Sequence, residues 1–209
     1  MMKRRLFYAA SLAFIAFGMT ACGGSTESAT EENLSVTYQL DATASTLKWK
    51  GTYAGDGHTH NGTVKISEGS ISYKGDAFET GSFTVDMKTI ENELTPEEGA
   101  GDLNESIMGE GLFNAAQFPN VEVKINSISD KEIDATLKVA GKEVPAKIPV
   151  KIKKTDKELT AKGKFTIDFS AIDAEGFKPS TEKGKETQYI KPGVDFELNL
   201  ILKAESAKE

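Results

Sequence analysis

The sequence has one cysteine, Cys22, one tryptophan, Trp49, and two histidines, His58 and His60. A lone cysteine excludes an internal disulfide, and past Cys22 no thiol nucleophile remains, so the rest of the chain must be stable through its core. Long apolar runs are also missing. The longest, Leu6 to Ala21, covers 16 residues, short of the roughly 20 that a membrane-spanning helix requires. There is no Gly-x-Ser-x-Gly elbow and no Gly-x-x-x-x-Gly-Lys phosphate loop, and Gly99-Ala100-Gly101 continues to Asn104 where a dinucleotide fingerprint requires glycine. His58 and His60 lie among Gly57, Asn61 and Gly62, without further ligands at metal-site spacing. They are expected to be a solvated or hydrogen-bonded pair rather than a metal site. With so few groups titrating near neutrality, no catalytic residues are assigned and no enzyme is expected.

What is present begins with Lys3, Arg4 and Arg5, followed by the short apolar run and then Met19-Thr20-Ala21-Cys22. This is the order of an export signal ending in a lipobox. It predicts a signal over residues 1–22, lipid attachment at Cys22, and an exported protein anchored to a bacterial membrane, facing the periplasm or the cell surface. Two or three acyl chains anchor stably where one is marginal. Removing residues 1–22 takes Lys+Arg from 25 to 22 against 32 acids, a net charge near −10. That charge argues against nucleic acid and anionic headgroups as partners. Residues 23–36 have almost nothing to bury and read as a tether, and residues 204–209 as a tail.

Residues 37–203 read as one domain in which apolar and polar residues alternate. Leu159, Ala161, Gly163, Phe165, Ile167, Phe169 and Ala171 fall on one parity, and Thr160, Lys162, Lys164, Thr166, Asp168 and Ser170 on the other. A period of two puts one set inward. The run Val194, Phe196, Leu198, Leu200, Leu202 repeats the pattern, and about nine such segments are counted. Turns are expected at Asp56-Gly57 or Asn61-Gly62, at Glu68-Gly69, and at Gly141-Lys142. Pro145 and Pro149 mark an edge or weakly paired stretch, the expected seam of a barrel. One helix is expected near Leu103 to Met108, opened by Asp102 and Glu105 and ended by Gly109 and Gly111. The segment 112–119 is expected to fold over an opening. The fold class is all-β: a single extended antiparallel barrel of about eight main strands with one short capping helix. Trp49, Phe83, Phe165, Phe169 and Phe196 suit either a packed core or a cavity wall.

Read in order, Leu47-Lys48-Trp49-Lys50-Gly51, His60-Asn61-Gly62-Thr63-Val64, Gly81 to Met87, Phe113 to Val123, Ala135 to Gly141, and Phe165 to Phe169 before Gly176-Phe177 resemble the YceI-like family over the whole domain. The resemblance implies a lipocalin-like barrel with an elongated apolar pore that in some members holds a polyisoprenoid chain such as that of a quinone. The chain departs from the family at Ala44-Ser45, at Ile107-Met108 and at Gly111-Leu112-Phe113, so polar headgroup contacts do not carry over at those positions. The expected ligand is a long isoprenoid or similar lipid, with no other cofactor. Its lining is expected from Trp49, Phe83, Val85, Met87, Ile107, Met108, Phe113, Val123, Ile125, Leu137, Ile148, Phe165, Ile167, Phe169, Phe196 and Leu198. The alternatives are a filled barrel acting through its acidic surface, and an enzyme at the barrel mouth. Pairing with a second copy of the chain is left open.

Overall fold

Alternation at period two becomes ten antiparallel strands in the computed structural model, which describes residues 35–205. Cys22 and the segment expected to be an export signal lie outside the described residues. The strands are β1 (Ser35–Leu40), β2 (Thr46–Thr52), β3 (Thr59–Lys74), β4 (Ala77–Asn92), β5 (Asn120–Ile128), β6 (Glu132–Val139), β7 (Lys142–Pro149), β8 (Lys151–Lys154), β9 (Glu158–Asp168) and β10 (Gly193–Ala204). The helix α1 (Ala100–Met108) follows β4. β1 starts inside the segment read as tether. At the other end β10 runs through Ala204, and the Glu205 amide donates to the Thr37 carbonyl, so the ordered domain reaches beyond both expected boundaries.

The sheet runs β7-β6-β5-β4-β3-β1-β10-β9-β8, with β2 also joining β3 to β10. β1 pairs with Ser70 to Lys74 of β3 and with Leu202 to Ala204 of β10. β2 pairs with the opposite ends of the same strands, Thr59 to Val64 and Asp195 to Asn199. The two short strands therefore share one position around the barrel. β7 and β8 share another: β7 pairs with β6, the chain bends at Val150, and β8 pairs with β9. Ten strands thus occupy eight positions. Pro145 and Pro149 lie exposed on β7, at a seam where the strand ladders with β6 but not with β9.

The first turn falls at Asp56-Gly57, the former of its two expected places, and two other turn expectations are corrected. Asn61-Gly62 and Glu68-Gly69 lie inside β3, and the β3–β4 turn is Gly75-Asp76. The apparent break at Gly69 is a register shift in the β3–β4 ladder between Ile66 and Glu68. A bulge adds one residue, so inward parity changes from Val64 and Ile66 to Ile71 and Tyr73. The ring of Phe83 lies over Gly69, where a Cβ would meet it at 2.0 Å. The turn expected at Gly141-Lys142 is centred one residue earlier, on Ala140 and Gly141, both at positive φ as a type I′ hairpin requires.

Packing differs along the barrel axis. At the end that holds the β3–β4 turn, here the base, Ile71, Leu159, Ala161 and Leu202 are fully buried. The Tyr38 hydroxyl donates to the Thr155 carbonyl there at 2.8 Å. Toward the β2–β3 turn, Leu47, Phe165, Phe196 and Leu198 keep the inward parity yet are only half-buried. Their inner faces border open space.

Gly163 is not part of that open wall. A Cβ on it would meet the Pro149 carbonyl oxygen at 2.1 Å, so its missing side chain lets the two backbones close the seam. Gly163→Ala is expected to destabilise the domain by about 1 to 3 kcal/mol in urea melts, as overpacking does. Gly101→Ala, in α1 with nothing within 4 Å of the added carbon, is expected to be neutral or to stabilise by up to about 1 kcal/mol. Equal effects at the two sites would refute this account of the seam.

Candidate functional site

The walls left open enclose a cavity of about 430 Å³, within the range of roughly 300 to 1,000 Å³ common for small-molecule sites. It follows β10 from Val194 to Leu200, about 20 Å at roughly 3.3 Å per residue. Its far end is closed by Ile125, Ile133, Ile148 and Leu200. Val64, Ile66, Phe83, Val85 and Met87 form the wall from β3 and β4, and Leu47, Trp49, Phe165, Ile167, Phe196 and Leu198 form the wall from β2, β9 and β10. Val123 and Leu137 complete it from β5 and β6.

The aromatic residues are arranged as a continuous column. Phe165 and Phe196, directly opposite across the β9–β10 ladder, stack with centroids 5.7 Å apart. Phe196 meets Phe169 edge-on at 6.2 Å, and Phe169 packs on both Phe113 and Phe177 at 5.4 and 6.1 Å. The column thus runs from the barrel wall into the segments that cover its end. Trp49 donates its indole N–H to the Thr63 carbonyl at 3.3 Å, which satisfies its polar atom and leaves the ring on the cavity wall.

Three segments cover that end. α1 is held to β4 by Asn92, whose side-chain amide donates to the Ala100 carbonyl and to Asn104 Oδ1 at 2.7 and 2.8 Å. The loop after α1 brings Leu112 and Phe113 inward. The strap from Ser170 to Pro192 contains two 3₁₀ turns, Ser170–Ile172 and Glu175–Phe177. It is tied down by backbone hydrogen bonds from Gly176 N to Gly111 O, Ile190 N to Gly176 O, Ala54 N to Tyr189 O and Lys191 N to Thr52 O, at 2.7 to 2.9 Å.

Of the sixteen residues expected to line a pore, fifteen face this cavity and Met108 does not. Successive residues on an α-helix point about 100° apart. Leu103, Ser106 and Ile107 share the face turned to the cavity, and Met108 is turned away, packing half-buried beside it. Several lining residues carried weak signals. Ile90 lies within another register shift of the β3–β4 ladder, between the paired residues Asp86 and Glu91, so simple alternation from Met87 passes it by. Leu112, Phe177, Tyr189 and Ile190 come from segments without period-two alternation.

Polar lining side chains gather at the covered end. Tyr53, His58 and His60 come from the β2–β3 hairpin, Ser106 from α1, and Gln188 and Tyr189 from the strap. His58, Ser106 and Gln188 are exposed, which places the mouth among them. The lining includes no Lys, Arg, Asp or Glu. His58 stacks on Tyr53 at 4.7 Å and meets His60 edge-on at 5.0 Å, while its Nδ1 bonds Asp56 Oδ1 at 2.5 Å. Of the two histidines only His58 is hydrogen-bonded, and both belong to the cavity rim. Among the described residues no group of three or more His, Cys, Asp or Glu is placed to hold a metal. Burial, and secondarily the charge of a protonated His58, hold the His60 pKa below its ordinary value of 6.5.

Comparison with known proteins gives the same architecture. Residues 38–202 match the family model described as "YceI-like domain". A polyisoprenoid binding domain from Saccharophagus degradans, implicated in plant cell wall breakdown, superposes with a TM-score of 0.56 at 15% identity, over 80% of this chain and 98% of that one. BcnA of Burkholderia cenocepacia superposes with a TM-score of 0.53 at 16% identity, over 78% and 98%. No curated protein is matched by the sequence.

The lowered His60 pKa sets a pH dependence. The unfolded chain takes up a proton at the ordinary histidine pKa and the folded His60 resists it, so this contribution to stability is present above that range and is lost as pH falls through it. NMR titration is expected to place His60 below 6.5, and His60→Gln to reduce the loss of melting temperature between about pH 7 and pH 5. A His60 titrating at or above the ordinary value would contradict its burial at the rim.

Proposed function

The chain belongs to the YceI-like family, and from that premise we propose that it binds one long apolar molecule, a polyisoprenoid or similarly shaped lipid, and carries or sequesters it without covalent chemistry. The observation that carries this reading is the hollow interior itself. A single barrel of this size is able to fill its centre with side chains, and its base does so, yet the upper walls surround open, almost wholly apolar space. The solved relative described as polyisoprenoid binding supports the choice of ligand.

The energetics are sufficient. Burial contributes about 0.8 kcal/mol per CH₂, so ten such groups supply about 8 kcal/mol, equivalent to micromolar affinity before ordering costs are subtracted. A preformed cavity keeps the protein's share of those costs small. Twin or triple acylation at Cys22 after export would hold the barrel beside the membrane from which such a ligand is drawn. The support for this part is the order of basic residues, apolar run and small residues before the lone cysteine.

Organic extracts of the purified protein are expected to contain a polyprenyl or other long-chain lipid by mass spectrometry. Gly51→Leu is expected to weaken binding of a fluorescent polyene at least tenfold without unfolding the domain. Gly51 lines the cavity near its mouth, and its added carbon would touch only Ile190 Cγ2, at 3.7 Å. Empty extracts, together with no polyene binding by the unaltered protein, would refute the carrier reading.

Membrane attachment is tested separately. Cys22→Ser is expected to move the protein from the membrane fraction to the soluble one, and intact mass is expected to show acylation of the unaltered chain. An unmodified, soluble wild type would refute the anchor.

A further inference from the structure

The rim is equipped for more than admitting a hydrocarbon. Tyr53, His60 and Gln188 converge on the cavity mouth from the β2–β3 hairpin and the strap. The Tyr53 hydroxyl, the His60 imidazole and the Gln188 amide make no hydrogen bond to another described residue, whereas His58 is engaged by Asp56. Polar groups at the end of an apolar cavity fix a ligand's orientation, and here they have free donors and acceptors to do so.

What the rim lacks is equally specific. Phosphate and diphosphate heads are recognised by Arg forks, Lys ammoniums or helix N-termini. No Lys or Arg lines this cavity, α1 contributes Leu103, Ser106 and Ile107 to its lining, and the chain as a whole carries a net charge of −7. His60 supplies no reliable cation, since its partial burial beside His58 favours the neutral imidazole. A neutral imidazole, a phenol and an amide together suit a neutral oxygen-bearing head.

We infer that the rim formed by Tyr53, His60 and Gln188 selects apolar chains that end in a neutral, hydrogen-bonding headgroup, an alcohol, amide or carbonyl, over the same chains ending in a phosphate or diphosphate. The inference rests on the proposal that the barrel holds such a chain. Tyr53 and His60 reach the head from one side of the mouth and Gln188 from the strap, while the chain runs down past Trp49 toward Leu200. The sole tryptophan lies on the wall of the cavity and reports binding directly.

The test titrates the purified protein with three probes of matched chain length: geranylgeraniol, geranylgeranyl diphosphate and the corresponding hydrocarbon without a head. Trp49 fluorescence is the readout. The alcohol is expected to bind at least tenfold more tightly than the diphosphate, and about three- to tenfold more tightly than the hydrocarbon, as one or two added hydrogen bonds provide. In Tyr53→Phe and Gln188→Leu, the ratio of alcohol to hydrocarbon affinity is expected to fall toward one. Rim polarity changes there while the apolar wall stays the same, so a shared folding defect would lower both affinities without changing their ratio. Hydrocarbon binding as tight as the alcohol, or diphosphate binding as tight or tighter, overturns headgroup selection while leaving the chain-binding reading standing. Binding of none of the three overturns the reading on which the inference rests.

Discussion

The hollow interior depends on the contact between Gly163 and the Pro149 carbonyl. A barrel with a packed centre is braced from within, and one backbone gap in its wall costs little. A barrel with open space at its centre has only its wall, and this wall changes partners at the seam, where the chain leaves β6 as β7 and joins β9 as β8. Two prolines stand on the exposed side of that stretch and contribute no N–H to a ladder. The backbones must therefore pack together without hydrogen bonds, and glycine at position 163 is what allows it.

The same economy appears at the other shared position, where β1 and β2 each cover half of the space between β3 and β10. The turn between them is pinned by Asp41, whose Oδ1 accepts from the Thr43 hydroxyl and the Ala44 amide. The division follows the division of the interior. β1 pairs at the dry base, where Tyr38, Ile71 and Leu202 are buried to within a few per cent, and β2 pairs along the cavity, contributing Leu47, Trp49 and Gly51, with Tyr53 just past its end. Stability is concentrated in one half and ligand space in the other, consistent with functional regions being drawn from less tightly packed parts of a fold. The aromatic column from Phe165 to Phe177 braces the hollow half, with rings in contact along the wall rather than across the cavity.

Much of this was legible in the sequence because period-two alternation survives in most strands. It correctly turned Phe83, Val85, Met87, Phe165, Ile167, Phe196 and Leu198 inward, and the prolines marked the seam. Alternation fails where the ladder slips. The shifts in β3 and β4 made one 16-residue strand look like two and hid Ile90. β1 went uncounted because Ser35 and Val36 continue the polar composition of the tether. Hollowness itself has no sequence signal, since Phe196 and Leu198 carry the same parity as the fully buried Leu202. Parity fixes direction, not what stands opposite. The rim was least legible of all, because Gln188 and Tyr189 lie in an irregular strap brought to Tyr53 only by backbone contacts such as Ala54 N to Tyr189 O.

Those contacts also explain why the two histidines sit where they do. A turn at the barrel end needs only Asp56 and Gly57, with Gly57 at positive φ and Asp56 accepting from the His58 amide and ring. Neither histidine ring is required to form that turn. Yet His58 is held against Tyr53, and His60 is carried back onto the inward face of β3, opposite Gly51. Partial burial there has a cost in protonation, visible as the lowered His60 pKa. A polar ring held at the lip of an apolar cavity, neutral and without a hydrogen-bond partner in the described residues, keeps its hydrogen-bonding capacity directed at whatever enters.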